Sequence, residues 1–227
     1  DRIRSRGLGD VYKRQVFKLL EENNIGWNFW THKKVDKITS PYSALVTPQY
    51  QVIIDYLRGA IAQPDPNIAG MGLTSFANSL KIENCITRPG VIASLTDPEY
   101  GEISKPYTTH SIPGTIPAAY YDIGARGLSY SDSDYWNDGD GGYNDGWVFR
   151  NDGVDVEGSD DDPNIPYTVG WTEAGEWLGY TIEDVSPGTY EVSFSISAPD
   201  AGGIFFAQLS GQNLGVIDVP ATGGWYN

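Results

Sequence analysis

The stretch VGWTEAGEWLGYT, Val169 to Thr181, decides how the second half of the chain is read. It lies within a strand-like run bounded by Gly, Pro and Asp. Trp171 follows a glycine ahead of the strand proper, so its side chain is free to project from a turn. Trp177 lies in the strand proper among apolar neighbours and is expected in the core. Two further runs share this character, GTYEVSFSISAP (Gly188–Pro199) and GGIFFAQLSGQNLGVIDVP (Gly202–Pro220). The first alternates apolar residues at Tyr190, Val192, Phe194 and Ile196, the period of a strand with one buried face. The spacing predicts an antiparallel β-sandwich over residues 113–227.

The preceding residues have a different period. VFKLLEENN places Val16, Leu19 and Leu20 on one helical face and stops at Asn23-Asn24. IGWNFW (Ile25–Trp30) reads as a short aromatic strand. Thr47-Pro48 is a helix cap followed by a first-turn proline, and QYQVIIDYLRGAI carries its apolar residues at helical spacing. Two more short helices are predicted, around Leu73–Leu80 and Pro89–Leu95. Between the halves, residues 98–112 carry few apolar groups and, with the adjoining Pro113, three prolines; they are read as a linker.

Charge divides the chain at the same place. Residues 16–112 hold eight basic and nine acidic residues, whereas residues 113–227 hold only Arg126 and Arg150 against 19 acids. The whole chain of 227 residues has a formal net charge of −15 and is 13% aromatic. Such a balance excludes nucleic acid and anionic membrane as natural partners and favours a neutral, polar one. No apolar run approaches the length of a membrane span. Cys85 is the single cysteine and leaves the redox compartment undecided.

The first 15 residues, DRIRSRGLGDVYKRQ, do not share the character of the rest: five of the 15 basic residues lie there. No apolar run follows them, so they are not a secretory signal. DVYKRQ, Asp10 to Gln15, resembles the translated end of a sequencing adaptor, and residues 1–15 are set aside as such.

A short strand ending at Trp30 and opening into a polar loop is how a (β/α)-barrel presents residues at its C-terminal face. Trp27 is read as core. LLEENNIGWNFWTHKKV, with LTSFANSLKIENCITRPGVIASL, resembles the end of a family 5 glycoside hydrolase, a retaining (β/α)8-barrel enzyme of the cellulase and β-glucanase type. The resemblance covers residues 16–97 and implies that Trp30 ends the eighth strand and lines a sugar subsite. His32, Lys33 and Lys34 follow on the loop and are read as solvated. Retaining hydrolysis needs two carboxyl groups about 5–5.5 Å apart, which the resemblance places on the fourth and seventh strands. Glu21 and Glu22 lie on a helix of the outer ring, so no catalytic residue is assigned and the chain is expected to be inactive as it stands.

The second half resembles the family 6 carbohydrate-binding modules, on VGWTEAGEWLGYT, IPGTIPAAYYDIG and LGVIDVPATGGWYN. This resemblance covers residues 112–227 and implies a jelly-roll sandwich whose loop edge clamps a sugar ring between two aromatic side chains, at positions matching Trp171 and Trp225. Asp155 of GVDVE, or Glu157 on the same strand face, is the carboxylate expected to bond sugar hydroxyls. The family pattern has glutamates where Pro117 and Ala119 stand, and the second helps to hold a structural calcium ion, so calcium is left open here and no other cofactor is assigned. The acidic aromatic loop Ser129–Trp147 is read as solvated, its Asp138 and Asp140 missing the EF-hand spacing; Tyr135, Trp136 and Tyr143 serve there either as a sugar platform or as packing over the sheet.

The expected whole is a two-part chain, the mostly helical C-terminal fragment of a (β/α)8 barrel followed by an antiparallel sandwich. Its expected role is in a secreted polysaccharide-degrading protein with a β-glucan or xylan as partner. The alternative is a non-catalytic glycan-binding or adhesion protein.

Overall fold

The helices form where capping chemistry starts and stops them. In the computed structural model, which describes residues 9–133 and 149–225, α1 spans Asp10–Glu22 and ends at Asn23, with Asn24 in the left-handed region at φ 54°. Asparagine tolerates that conformation and stops a helix there. DVYKRQ thus forms the first turns of α1, with the Asp10 side chain accepting from Lys13 at 2.6 Å and Asn151 at 2.8 Å. α2 (Pro48–Leu57) starts at Thr47, whose hydroxyl accepts the Tyr50 amide, and α3 (Pro66–Ser79) starts at Asp65, whose carboxylate accepts the Asn67 amide. α4 spans Pro89–Thr96.

α2 and α3 pack as a pair, with Tyr50 stacked on Phe76 at 4.1 Å between ring centres. Gly72 permits their approach: a Cβ there would lie 2.5 Å from the Gln49 carbonyl oxygen. Phe17 of α1 stacks on Trp27 at 4.1 Å, and Trp27, expected in the core, is half-buried by this packing.

Strand pairs are short. β1 (Lys33–Val35) runs parallel to β2 (Tyr42–Ala44), which pairs antiparallel with β3 (Ile86–Thr87). β4 (Ser111–Ile112) runs parallel to β9 (Asp184–Val185). β5 (Tyr130–Ser131) pairs antiparallel with β8 (Trp177–Leu178), and β6 (Val156–Gly158) with β7 (Tyr167–Val169). Among the described residues no sheet is wider than three strands. Ile25–Trp30, expected as a strand, is irregular instead: a strand exists only where a neighbour takes its backbone bonds, and among the described residues none does.

The chain divides into two compact units, Asp1–Val185 and Ser186–Asn227. Residues 98–112 are built into the first unit. Lys105 and Ile123 exchange both backbone bonds, at 3.0 and 2.7 Å, and β4 occupies the end of the segment. The core of this unit gathers Ala119, Tyr121, Tyr130, Phe149, Val154 and Val156, with Tyr167, Val169 and Leu178 packed against them. Tyrosine dominates it, so hydroxyl partners are required inside. The Tyr121 hydroxyl donates to the Asp152 carboxylate at 2.6 Å and that of Tyr130 to the Asp152 carbonyl at 2.8 Å.

Arg150 anchors the core. Its Nε donates to Asp152 at 2.8 Å, Nη1 to the Tyr121 carbonyl and Nη2 to the Asp122 carbonyl at 2.9 Å, while the guanidinium lies 3.6 Å from the centre of the Tyr121 ring. Burial opposes the charge of Arg150, but the Asp152 carboxylate and the surrounding tyrosines outweigh it and raise its pKa. The Asp122 carboxylate accepts from the Thr181 amide and hydroxyl, at 2.7 and 2.6 Å, and from Ser104 at 3.0 Å.

In the second unit, β10 (Ile204–Leu209) and β11 (Gln212–Asp218) form an antiparallel hairpin. Its turn, Ser210-Gly211, has positive φ at both positions, 50° and 80°, which matches the right-handed twist of paired strands. Residues 190–196, expected as a strand from their alternation, have no ladder partner among the described residues, and Val192 is 61% exposed. Alternation gives a segment two faces but does not supply the neighbour that makes it a strand.

Candidate functional site

The β6–β7 hairpin builds the first part of the site. Val156 faces Val169 across the ladder and both side chains lie against the core. One residue further, the Gly170 amide donates to the Asp155 carbonyl at 3.0 Å. The chain then leaves the sheet at Trp171, which has φ 46°. A tryptophan in the left-handed region is uncommon, and the conformation costs on the order of 1–2 kcal/mol. Trp171 is nevertheless presented to solvent, 36% exposed.

The following turn is pinned by carboxylates. Glu176 accepts the Glu173 amide at 2.8 Å, closing the turn on itself, and accepts the Ser133 amide at 2.8 Å. The Ser133 hydroxyl lies 2.7 Å from Glu173 and 2.9 Å from Glu176. Gly175, at φ 97°, supplies the reversal. β8 then begins with Trp177.

Register decides where Trp177 points. Leu178 faces Tyr130 across the β5–β8 ladder and packs on the core, so period-two alternation sends the Trp177 side chain to the other face, beside Ser131. Trp177 is 43% exposed, a correction to its expected place in the core. The adjacent Leu178 carried that signal, since neighbouring strand residues cannot both face one core. The turn from Trp171 to Trp177 therefore has an exposed indole at each end and two carboxylates between them.

The other candidates fall as follows. Asp155 is buried, 3% exposed, and Glu157 half-buried. Trp225 belongs to the second unit, where it is exposed after Gly223, at φ 92°, and Gly224, which bridges to Ala198. Trp30 is the most open of the large hydrophobic side chains among the described residues, 85% exposed, and its peptide bond to Thr31 is cis. Nearby, the His32 carbonyl accepts the Tyr42 amide at 3.1 Å, Lys33 donates to the Leu80 carbonyl and Lys34 to the Thr39 hydroxyl at 3.2 Å. Ala119 is buried in the core and Pro117 precedes it as a cap; neither offers a metal ligand. Among the described residues no group of three His, Cys, Asp or Glu is gathered at metal-binding distance, and no helix is long and apolar enough to cross a membrane. Tyr135, Trp136, Asp138, Asp140 and Tyr143 lie outside the described residues.

An exposed indole held on a pinned turn, with carboxylate acceptors beside it, suits a ligand having an apolar ring face and a rim of hydroxyls. Residues 150–227 match the model of carbohydrate-binding module family 35. The matched segment, about a third of the chain, contains Asp155, Glu157, Trp171, Trp177 and Trp225. The match supports carbohydrate binding, and it names family 35 where the sequence resemblance was to family 6. No curated protein and no solved structure matches the chain.

Proposed function

We propose that the chain binds a polysaccharide through residues 150–225, with Trp171 as the principal contact. The observation that supports this reading most is the conformation of Trp171. Trp171 stands outside the core cluster in a backbone conformation that favours glycine, so a role toward a ligand accounts for a tryptophan at this position. Its indole offers the apolar face of a pyranose a flat partner, and Glu173 and Glu176 stand in the same turn as acceptors for hydroxyls. Glu157, more open than Asp155, is the better placed of the two predicted carboxylates. Trp225 is a second exposed indole within the matched segment and is assigned its own contact with the glycan.

On this reading the partner is a β-glucan or xylan-class polymer outside the cell, and the chain belongs to a polysaccharide-degrading protein of the family 5 type. The resemblance of residues 16–97 and the exposure of Trp30 support that assignment. Binding to the polymer holds such an enzyme at its insoluble substrate and raises its effective concentration there. The test is a binding screen of the chain by affinity electrophoresis against β-glucan, xylan, laminarin and regenerated cellulose, with tryptophan fluorescence as a second readout. Retardation by at least one polymer with a change in indole emission is expected; migration unaffected by all of them rejects the proposal.

A further inference from the structure

We propose that the glycan taken by this surface is uncharged, and that polymers bearing uronic acids or other carboxylates are rejected by charge. The inference rests on the reading of the Trp171–Trp177 turn as a sugar-binding surface and adds the class of sugar. Residues 151–227 contain 13 Asp and Glu and no Lys, Arg or His. A carboxylate on a ligand is ordinarily met by a guanidinium or ammonium group, and this segment has none to offer.

The two arginines held in the core of the first unit, Arg150 and Arg88, do not replace them. Arg150 is 8% exposed, with its Nε on Asp152, Nη1 and Nη2 on the Tyr121 and Asp122 carbonyls, and its face against the Tyr121 ring. Arg88 is 7% exposed and donates to the Ser43 hydroxyl at 3.0 Å and the Phe149 carbonyl at 2.8 Å. Both are consumed by the fold. Arg126, in the turn ahead of β5, is exposed and is the one cation of residues 113–227 outside the core.

The exposed turn itself presents oxygen acceptors. Glu173 and Glu176 are held in place by Ser133 and by the Glu173 amide, so both charges are fixed between Trp171 and Trp177. A neutral sugar brings hydroxyl donors to such acceptors. A uronate brings a like charge, and a polyuronate repeats it at every residue along the chain, within a screening length of about 8 Å at physiological salt. Discrimination therefore comes from repulsion of the wrong ligand as much as from attraction of the right one.

The test uses polymers matched in backbone and differing in charge: hydroxyethyl cellulose against carboxymethyl cellulose, arabinoxylan against glucuronoxylan, and galactan against polygalacturonate. Affinity electrophoresis of the chain is run at low and high salt, with calcium and with a chelator. The neutral member of at least one pair is expected to bind, its anionic counterpart roughly tenfold more weakly or worse at low salt, and the gap to narrow as salt screens the repulsion. An anionic member that binds as well as its neutral counterpart overturns the inference, with or without calcium, while leaving the sugar-binding reading intact. So does uronate binding that disappears in Arg126→Gln. Binding to no polymer of any pair rejects the sugar-binding reading, and this inference with it.

Discussion

The Gly170 amide donates to the Asp155 carbonyl at 3.0 Å, and this bond closes the β6–β7 ladder one residue before the chain turns left-handed at Trp171. The last pairing of a strand is thus coupled to the presentation of an indole. The hairpin below is fixed by Val156 and Val169 in the core, so the position of Trp171, which is not itself in the core cluster, is inherited from their packing.

Trp171→Gly separates folding from binding. Glycine adopts the required φ without steric cost, and this offsets the burial lost with an indole that is 36% exposed. The melting temperature is expected to change little, because about 1–2 kcal/mol of relieved backbone strain opposes a similar loss of buried indole surface and the greater freedom of glycine in the unfolded chain. Calorimetric unfolding checks this, and a loss of several kcal/mol would show that the indole is structural.

Trp177→Ala is expected to cost about 1–2 kcal/mol, below the ~3–5 kcal/mol of a fully buried tryptophan, because the side chain is half in solvent. Leu178→Ala, one position along, empties a site on the core side and is expected to cost about 2–3 kcal/mol. Urea unfolding of the two variants tests the register: if Trp177→Ala proves the more destabilising, β8 is turned the other way.

Replacing Arg150 by Met leaves the Asp152 carboxylate buried without its partner. Removal of one member of such a pair costs about 3–5 kcal/mol, enough to unfold many domains. Tyr121→Phe removes one bond to the same carboxylate and is expected to cost about 1.5–3 kcal/mol. Circular dichroism in the near ultraviolet reports both, since the tyrosine cluster loses its fixed environment. Native signal and melting in Arg150→Met would contradict the role assigned to this core.

Alkaline pH should weaken the first unit. Burial raises the pKa of Tyr107, Tyr121 and Tyr180 in the folded state, against about 10 in the unfolded chain. A raised folded pKa gives stability that is complete below pH about 10 and is lost as the unfolded tyrosines ionise above it. Each contributes a slope of about 1.4 kcal/mol per pH unit there. Melting temperatures taken across this range should be level and then fall, and Tyr180→Phe should make the fall shallower; an unchanged slope in that variant contradicts the assignment.

Local chemistry was the legible part of the sequence. Thr47-Pro48 starts α2 and Asn23-Asn24 ends α1, each because a few adjacent residues fix the outcome. Partnership was not legible. Ile25–Trp30 and residues 190–196 have strand composition, yet a ladder needs a neighbour that composition does not specify. Trp177 was misplaced for a related reason: its apolar neighbours suggested a core, whereas the register of Leu178 with Tyr130 sets which of the two residues faces inward. The projection of Trp171 from a turn was legible from the glycine before it. The pinning of its turn by Ser133 was not, since that contact joins residues 40 and more positions apart.

The most direct test of the central claim is isothermal titration of the chain and of Trp171→Gly with a polymer that binds the unsubstituted chain. The indole contact predicts that the variant keeps its melting temperature and loses at least about 2 kcal/mol of binding, roughly thirtyfold in affinity. A variant that binds the same polymer with undiminished affinity would contradict Trp171 as the contact on which sugar recognition rests.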